Sequence, residues 1–458
     1  MFVRNFRKNG LVLALYQPIN SFLTVALRIL MLGWEFPPYL NGGLGVATAG
    51  LAQAMAEKVD LTLVIPRAHP DFQPQGFRLL GMHGQSLPAL KESYVEQEVS
   101  YLREVRVNYV PIDIAGYERV ERRYIPEEQE HWLRIERPIE KEREIRPAKI
   151  FHLSDLYSSD LLKKVLTFAD IVVDRMANQA FDCIHAHDWM TFVAGLELKA
   201  RTGKPLVLHV HSLEYDRGGP ESRSGIFELE QHALKEADAV VPVSQYTAGI
   251  LENIYGISPD RIHPVSNGIA PFESYRRKKP FPESLVVFLG RMTSQKGPEY
   301  FFALAEKLLK ERKDLRFALA GQGEEVQGLI EKTAQAKLGH RIHFTGYLEQ
   351  DRAKELLAMA DVFVLPSVSE PFGLVALEAA QMEVPCIVSQ QSGVREVLPH
   401  ALTVDYADTE ALASLVSSLI EREDLRQEVI SGQLQDLKEV SWDHAANKIL
   451  SLYQKLAN

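Results

Sequence analysis

Cysteine is nearly absent from this chain: Cys183 and Cys386 are the two among 458 residues. That rules out a disulfide framework, and neither cysteine has the histidine or cysteine spacing of a zinc module. Each lies in a strand-like apolar run, "FDCIHAHD" and "PCIVSQ", where a small core residue is expected rather than a nucleophile. A reducing, cytoplasmic setting is the matching expectation. Excess positive charge is missing as well. The formal net charge is -10, so no nucleic-acid partner is expected, because phosphate backbones select basic stripes. A small anionic ligand stays open, since it needs only a local positive pocket. Long apolar runs are lacking too. The stretch before Trp34 is interrupted by Gln17, Pro18, Asn20 and Arg28, which makes it a poor membrane span. Its run "LVLALY" is shorter than a usual signal core. Residues 1–26 therefore read as a flexible extension, with no membrane association expected. Nothing in the sequence specifies an oligomeric state.

What the chain does have is length and a repeated pattern. A chain of 458 residues exceeds one hydrophobic core and implies two large domains or three small ones. Short runs rich in Val, Ile and Leu recur without polar alternation. In the first half they are "LRILMLGW", "VDLTLVIP", "FDCIHAHD", "PLVLHVHS", "AVVPVS" and "IHPVSNG". In the second they are "LVVFLGR", "LRFALAG", "RIHFTG", "DVFVLPS", "PCIVSQ" and "LTVD". Such runs suit parallel strands buried on both faces. Helix-like segments separate many of them, so the fold class is α/β with two doubly wound, Rossmann-like sheets. The polar, proline-punctuated stretch 270–284 reads as the link between them. The expected domains are 27–275 and 276–440, with a helix over 441–458 packing back on the first. A charged insertion, 116–147, reads as a solvated excursion of the first domain.

In open α/β sheets, ligands bind beyond the carboxyl ends of the strands. Several such ends carry unusual residues. After "LRILMLGW", a proline turn leads to Gly42, Gly43 and Gly45 at a helix start, where free N–H groups favour an anion. This is not a G-x-G-x-x-G dinucleotide fingerprint. "IHAHDWMT" crowds His185, His187 and Asp188 at one strand end. His187 and Asp188 read as cleft-lining groups, and a metal is not expected because no third ligand is evident from the spacing. "LHVHSLEYDR" ends in His209 and His211, followed by a polar lip of Ser212, Glu214 and Asp216. In "FLGRMTSQKGPEY", Arg291 and Lys296 flank a helix start, an arrangement that suits a phosphate leaving group. In "PSVSEPFGLVALEAA", Glu370 stands before a turn and Glu378 on the helix after it. Carboxylates accept from adjacent hydroxyls, such as those of sugars and riboses.

Taken together and in this order, these segments resemble the retaining, nucleotide-sugar-dependent glycosyltransferases of the GT-B fold. The family-4 type and the bacterial glycogen and starch synthases are the nearest likenesses. The Glu370-x7-Glu378 pair is the most specific element, with "GRMTSQKG" similar to the donor-phosphate segment and "HVHS" to the active-site histidine loop. The resemblance implies that Glu370 contacts the donor sugar and Glu378 the ribose. It implies that Phe372, Gly373 and Leu374 form the donor loop, with amides from the last two. Arg291 and Lys296 would neutralise the diphosphate, His211 would sit by the transferred sugar, and Gly42 and Gly43 would border the phosphates. It implies a UDP- or ADP-glucose type of donor, a carbohydrate acceptor and no bound metal or other cofactor. Two positions depart from the synthases: Leu40 stands where they carry lysine, and Phe372 where they carry cysteine. The donor base therefore stays open. A sugar-nucleotide epimerase and a non-catalytic sugar-nucleotide-binding protein are the alternative readings.

Overall fold

The computed structural model describes residues 26–40, 42–72, 74–86, 151, 157 and 160–457. The insertion 116–147, and the extension 1–26 apart from Ala26, lie outside the described residues.

The first sheet is built from β1 (Arg28–Leu32), β2 (Asp60–Ile65), β3 (Arg78–Gly81), β4 (Cys183–His187), β5 (Leu206–Val210) and β6 (Ala239–Pro242). Its helices are α1 (Gly43–Met55), α2 (Leu161–Met176), α3 (Trp189–Thr202), the short α4 (Glu214–Gly218), α5 (Gly225–Glu236) and α6 (Gln245–Asn253). The strands run parallel in the order β3-β2-β1-β4-β5-β6. Residues of β1 alternate between the two faces, as a pleated strand requires. Leu30 and Leu32 join a core with Phe168 and Val172, while Ile29 and Met31 join another with Leu51 and Tyr453. Helix α2 owes its place to an apolar stripe at helical spacing: Leu161, Val165, Phe168, Val172 and Met176 are all buried. Phe168 packs edge-on to Trp34, ring centroids 5.5 Å apart. Burying one such ring stabilises the fold by about 1.5–3 kcal/mol.

The second sheet contains β7 (Ser284–Leu289), β8 (Leu315–Ala320), β9 (Ile342–Gly346), β10 (Val362–Leu365), β11 (Cys386–Ser389) and β12 (Leu402–Val404). Helices α7 (Pro298–Glu311), α8 (Val326–Gln335), α9 (Gln350–Leu357), α10 (Leu374–Gln381), α11 (Thr409–Glu421) and α12 (Glu423–Asp436) cover it. The order β12-β11-β10-β7-β8-β9 repeats the first sheet's plan. The last helix, α13 (Trp442–Ala457), returns to the first sheet and packs on α1 and β4.

Two segments differ from their expected form. "IHPVSNG" is not a regular strand. It touches β6 through an Ile262–Val240 bridge and the amides of His263 and Val265. Pro264 between them has no N–H to continue a ladder. The linker is not a free tether either. Arg276 donates to the carbonyls of Ala360 and Glu383 at 2.7 and 2.9 Å, and Lys279 pairs with Asp361. Cys183 and Cys386 are both buried, as expected, and burial pushes each thiol up to about 12.

Candidate active site

In each sheet the strand order reverses once, between β1 and β4 in the first and between β7 and β10 in the second. Such switch points open a crevice at the carboxyl ends of the strands. The residues singled out from the sequence follow these four strands. Gly42 and Gly43 come after β1, His187 and Asp188 at the end of β4, Arg291 and Lys296 after β7, and Glu370 after β10. His211 follows the adjacent β5. The two sets face each other across the molecule: a Cβ added to Gly43 would lie 3.5 Å from the Leu374 Cδ1 of the second half.

On the second-half side, Lys296 and Glu370 form an ion pair. Lys296 Nζ donates to both carboxylate oxygens at 2.8 and 2.7 Å, and Ser367 Oγ donates to one of them at 3.1 Å. Glu370 is buried. The turn that brings Lys296 here depends on Gly297, whose φ is +70°. A Cβ at that position would lie 2.0 Å from the Pro366 carbonyl oxygen, so only glycine lets the turn close against the end of β10. Arg291, which follows β7 as Lys296 does, has no carboxylate partner among the described residues. Gly373, φ +101°, is the N-cap of α10 and frees the first amides of that helix, including that of Leu374. Glu378, half-buried on α10, is pushed up to about 7 by burial, with Lys354 opposing weakly. Phe372 directly precedes Gly373 in the expected loop. Its ring belongs to the core of the second half, so its backbone rather than its side chain borders the site.

On the first-half side, four histidines form a stack. His185 and His187 on β4 share a face with His209 and His211 because the strands are parallel and His187 is in register with His209. His209 and His211 ring centroids are 4.3 Å apart at 12°. His185 Nε2 and His209 Nδ1 are 3.2 Å apart, and His187 Nδ1 and His211 Nε2 are 2.9 Å apart. His185 Nδ1 also bonds the Tyr453 hydroxyl of α13. Desolvation holds all four rings neutral, with His185 and His211 lowered to about 3. One ring nitrogen each of His185, His187 and His209 lies within 4.8 Å of the others. The spacing argument missed this third candidate ligand because it considered one strand at a time. The rings stack, and two pairs of them are joined by hydrogen bonds, while His187 Nε2, His209 Nε2 and His211 Nδ1 have no hydrogen-bond partner among the described residues.

His187 and Asp188 do not line the cleft as free polar groups. Both are buried. Asp188 has φ +57°, which is unusual for a side-chain-bearing residue. Its Oδ1 accepts from the amides of His211 and Ser212 at 2.7 and 3.3 Å. It thus fixes the backbone of His211, and desolvation pushes its own pKa up to about 7. Several groups were not read from the sequence as site parts. Ser367 braces Glu370, and Gln295 donates to the Ser369 carbonyl at 3.0 Å. Buried Glu35 accepts from Tyr157. Their only sequence signal is position within the same strand-end segments.

Comparison with known proteins supports this fold. Residues 271–434 match the family model "Glycosyl transferases group 1", and residues 131–271 match "Glycosyltransferase Family 4". An alpha-maltose-1-phosphate synthase of Mycolicibacterium smegmatis is 32% identical over 317 residues, covering 61% of this chain and 80% of the relative. A sucrose-phosphate synthase of Thermosynechococcus elongatus shares the fold with a TM-score of 0.68 at 18% identity, covering 94% of this chain and 99% of that one. The catalytic domain of starch synthase IV from Arabidopsis thaliana, solved with ADP and acarbose, does so with a TM-score of 0.65 at 15% identity, covering 94% and 99%. With two parallel sheets of one plan facing each other across these strand ends, the chain belongs to the group 1 and family 4 glycosyltransferases of the GT-B type.

Proposed function

We propose that this glycosyltransferase moves a hexose, glucose above all, from a UDP- or ADP-sugar to a carbohydrate acceptor with retention at the anomeric carbon. The carrying observation is the Lys296–Glu370 pair between the end of β7, where Arg291 has no carboxylate partner among the described residues, and the start of α10. Leaving-group charge is the main electrostatic demand of the reaction. Two fixed cations and the amides after Gly373 meet that demand where the departing diphosphate would lie. Glu370 then grips the sugar hydroxyls and Glu378 the ribose, and His211 presents a neutral imidazole to the sugar from the opposite half. The starch synthase that shares the fold was solved with ADP and acarbose, which supports a nucleoside diphosphate as the leaving group. Docking of the halves would exclude water from the activated donor.

The test is a donor screen for nucleoside diphosphate release, with maltooligosaccharides, with fructose 6-phosphate and without acceptor. Acceptor-dependent release with an α-linked product supports the reading; acceptor-free conversion of the sugar nucleotide would favour an epimerase. Lys296→Ala and Glu370→Ala are each expected to lower turnover by at least about 10²–10³-fold, the usual cost of a lost charge-stabilising contact. Near-wild-type turnover in either variant would sink the assignment. EDTA is expected to leave the rate unchanged, because no step is assigned to a metal.

A further inference from the structure

We propose that Ser369 is a positioning residue that ties the turn carrying Glu370 to the first half through Asp216 and Tyr246, so that the donor grip is complete only while the halves are docked. Its effect on turnover rests on the transferase reading above; the junction rests on hydrogen-bond geometry alone. Ser369 Oγ lies 2.5 Å from Asp216 Oδ1 and 3.0 Å from the Tyr246 hydroxyl. An ionised carboxylate only accepts, so Ser369 donates to Asp216 and Tyr246 donates to Ser369. The other Asp216 oxygen accepts the Leu213 amide at 2.8 Å, which fixes the carboxylate to its own turn. Ser369 and Asp216 are both buried. A buried hydrogen-bonded chain of this kind is stiff when complete and costly when broken.

The neighbouring contacts reinforce it. Ser244 Oγ donates to the Pro371 carbonyl at 2.6 Å, so residues on both sides of Glu370 are held by the first half. Glu396 of the second half accepts the Gln245 and Tyr246 amides at 2.7 and 2.8 Å, capping α6 across the junction. Gly393 lets the surfaces meet: a Cβ there would lie 2.2 Å from the Pro371 oxygen and 2.6 Å from Ser244 Cβ. The side chain of Glu370 is held within its own half, by Lys296 and Ser367. Its backbone is bonded within that half too, to the Gln391 carbonyl and the Gly393 amide at 2.9 Å each, while the first half holds the residues on either side of it, Ser369 and Pro371. A carboxylate misplaced by about 1 Å can lose on the order of 10²-fold in rate.

The experiment compares Ser369→Ala, Asp216→Asn and their double variant in the full chain, with Tyr246→Phe as a milder change should the others fold poorly. Each single variant is expected to lower kcat by about 10- to 100-fold. Binding of free UDP or ADP, gripped by second-half residues, should stay within about threefold of wild type. The losses in the double variant should fall short of the sum of the single losses, because the two variants act on one shared Ser369–Asp216 bond. Small-angle scattering should show a larger radius of gyration for the variants without ligand. Wild-type kcat in Ser369→Ala and Tyr246→Phe, or additive losses in the double, would overturn the proposal. If the wild-type chain releases no nucleoside diphosphate from any sugar nucleotide, the transferase reading fails instead. Scattering then decides the junction, and unchanged dimensions in all variants would refute it.

Discussion

Glu378 should give the donor site a pH signature. To accept from two ribose hydroxyls its carboxyl must be ionised. Burial pushes it up to about 7 in the free protein, so the grip is weakened below neutrality and complete above it. The donor KM is expected to rise as pH falls through about 7. Asp188 and Glu230 also titrate near about 7, so Glu378→Gln is the discriminating variant. It should raise donor KM at every pH and flatten the profile; an unchanged profile would remove Glu378 from the donor site. The shift has a second, opposite consequence. The folded pKa lies above the ordinary value of 4.5, so folding favours the neutral acid. That contribution to stability is complete below about pH 4.5 and is lost as pH rises through about 7.

Turns between strand and helix show what a linear reading recovers and what it misses. The alternating strand and helix pattern, the two glutamates and the two cations could all be read, because each depends on local chemistry. The pairing of His187 with His209 could not, since parallel register joins residues far apart in sequence. The same holds for Asp216 with Ser369. Phe372 was read as part of the donor loop, and its ring packs in the core of the second half. The segment "IHPVSNG" was read as a strand from apolar content, and Pro264 breaks its ladder. The glycines give a sharper test of the turns. Gly297→Ala should destabilise the chain by about 2 kcal/mol or more, because a Cβ would collide with the Pro366 carbonyl at positive φ. It should also displace Lys296 and depress turnover. Gly328, inside α8, has nothing within 4 Å of an added Cβ. Gly328→Ala should therefore stabilise by about 0.5–1 kcal/mol through helix propensity. Urea unfolding of both variants checks the contrast, and equal effects would undo the steric account.

The first half is not an independent folding unit, because its core is closed by the last helix of the chain. In α13, Ala445, Ala446, Ile449, Leu452 and Tyr453 pack against Ile29, Met31, Leu61 and Leu63. Trp442 lies where a side chain at Gly50 would collide with its ring, and Lys58 pairs with Asp443 at 2.7 Å. Tyr453 also carries the hydrogen bond that begins the histidine stack. Ile449, Leu452 and Tyr453 together bury apolar surface worth about 1.5–3 kcal/mol each. Their sum rivals the about 5–15 kcal/mol stability of an ordinary domain. A chain ending at 440 is therefore expected to lose cooperative unfolding of the first half and to bind a hydrophobic dye. The second half, with its own core, should keep a separate transition. Ile449→Ala is the graded version and should cost about 2–5 kcal/mol, lowering the urea midpoint without changing nucleoside diphosphate affinity. If the truncated chain melts as cooperatively as the full one, α13 is only an appendage, and the first half stands without it.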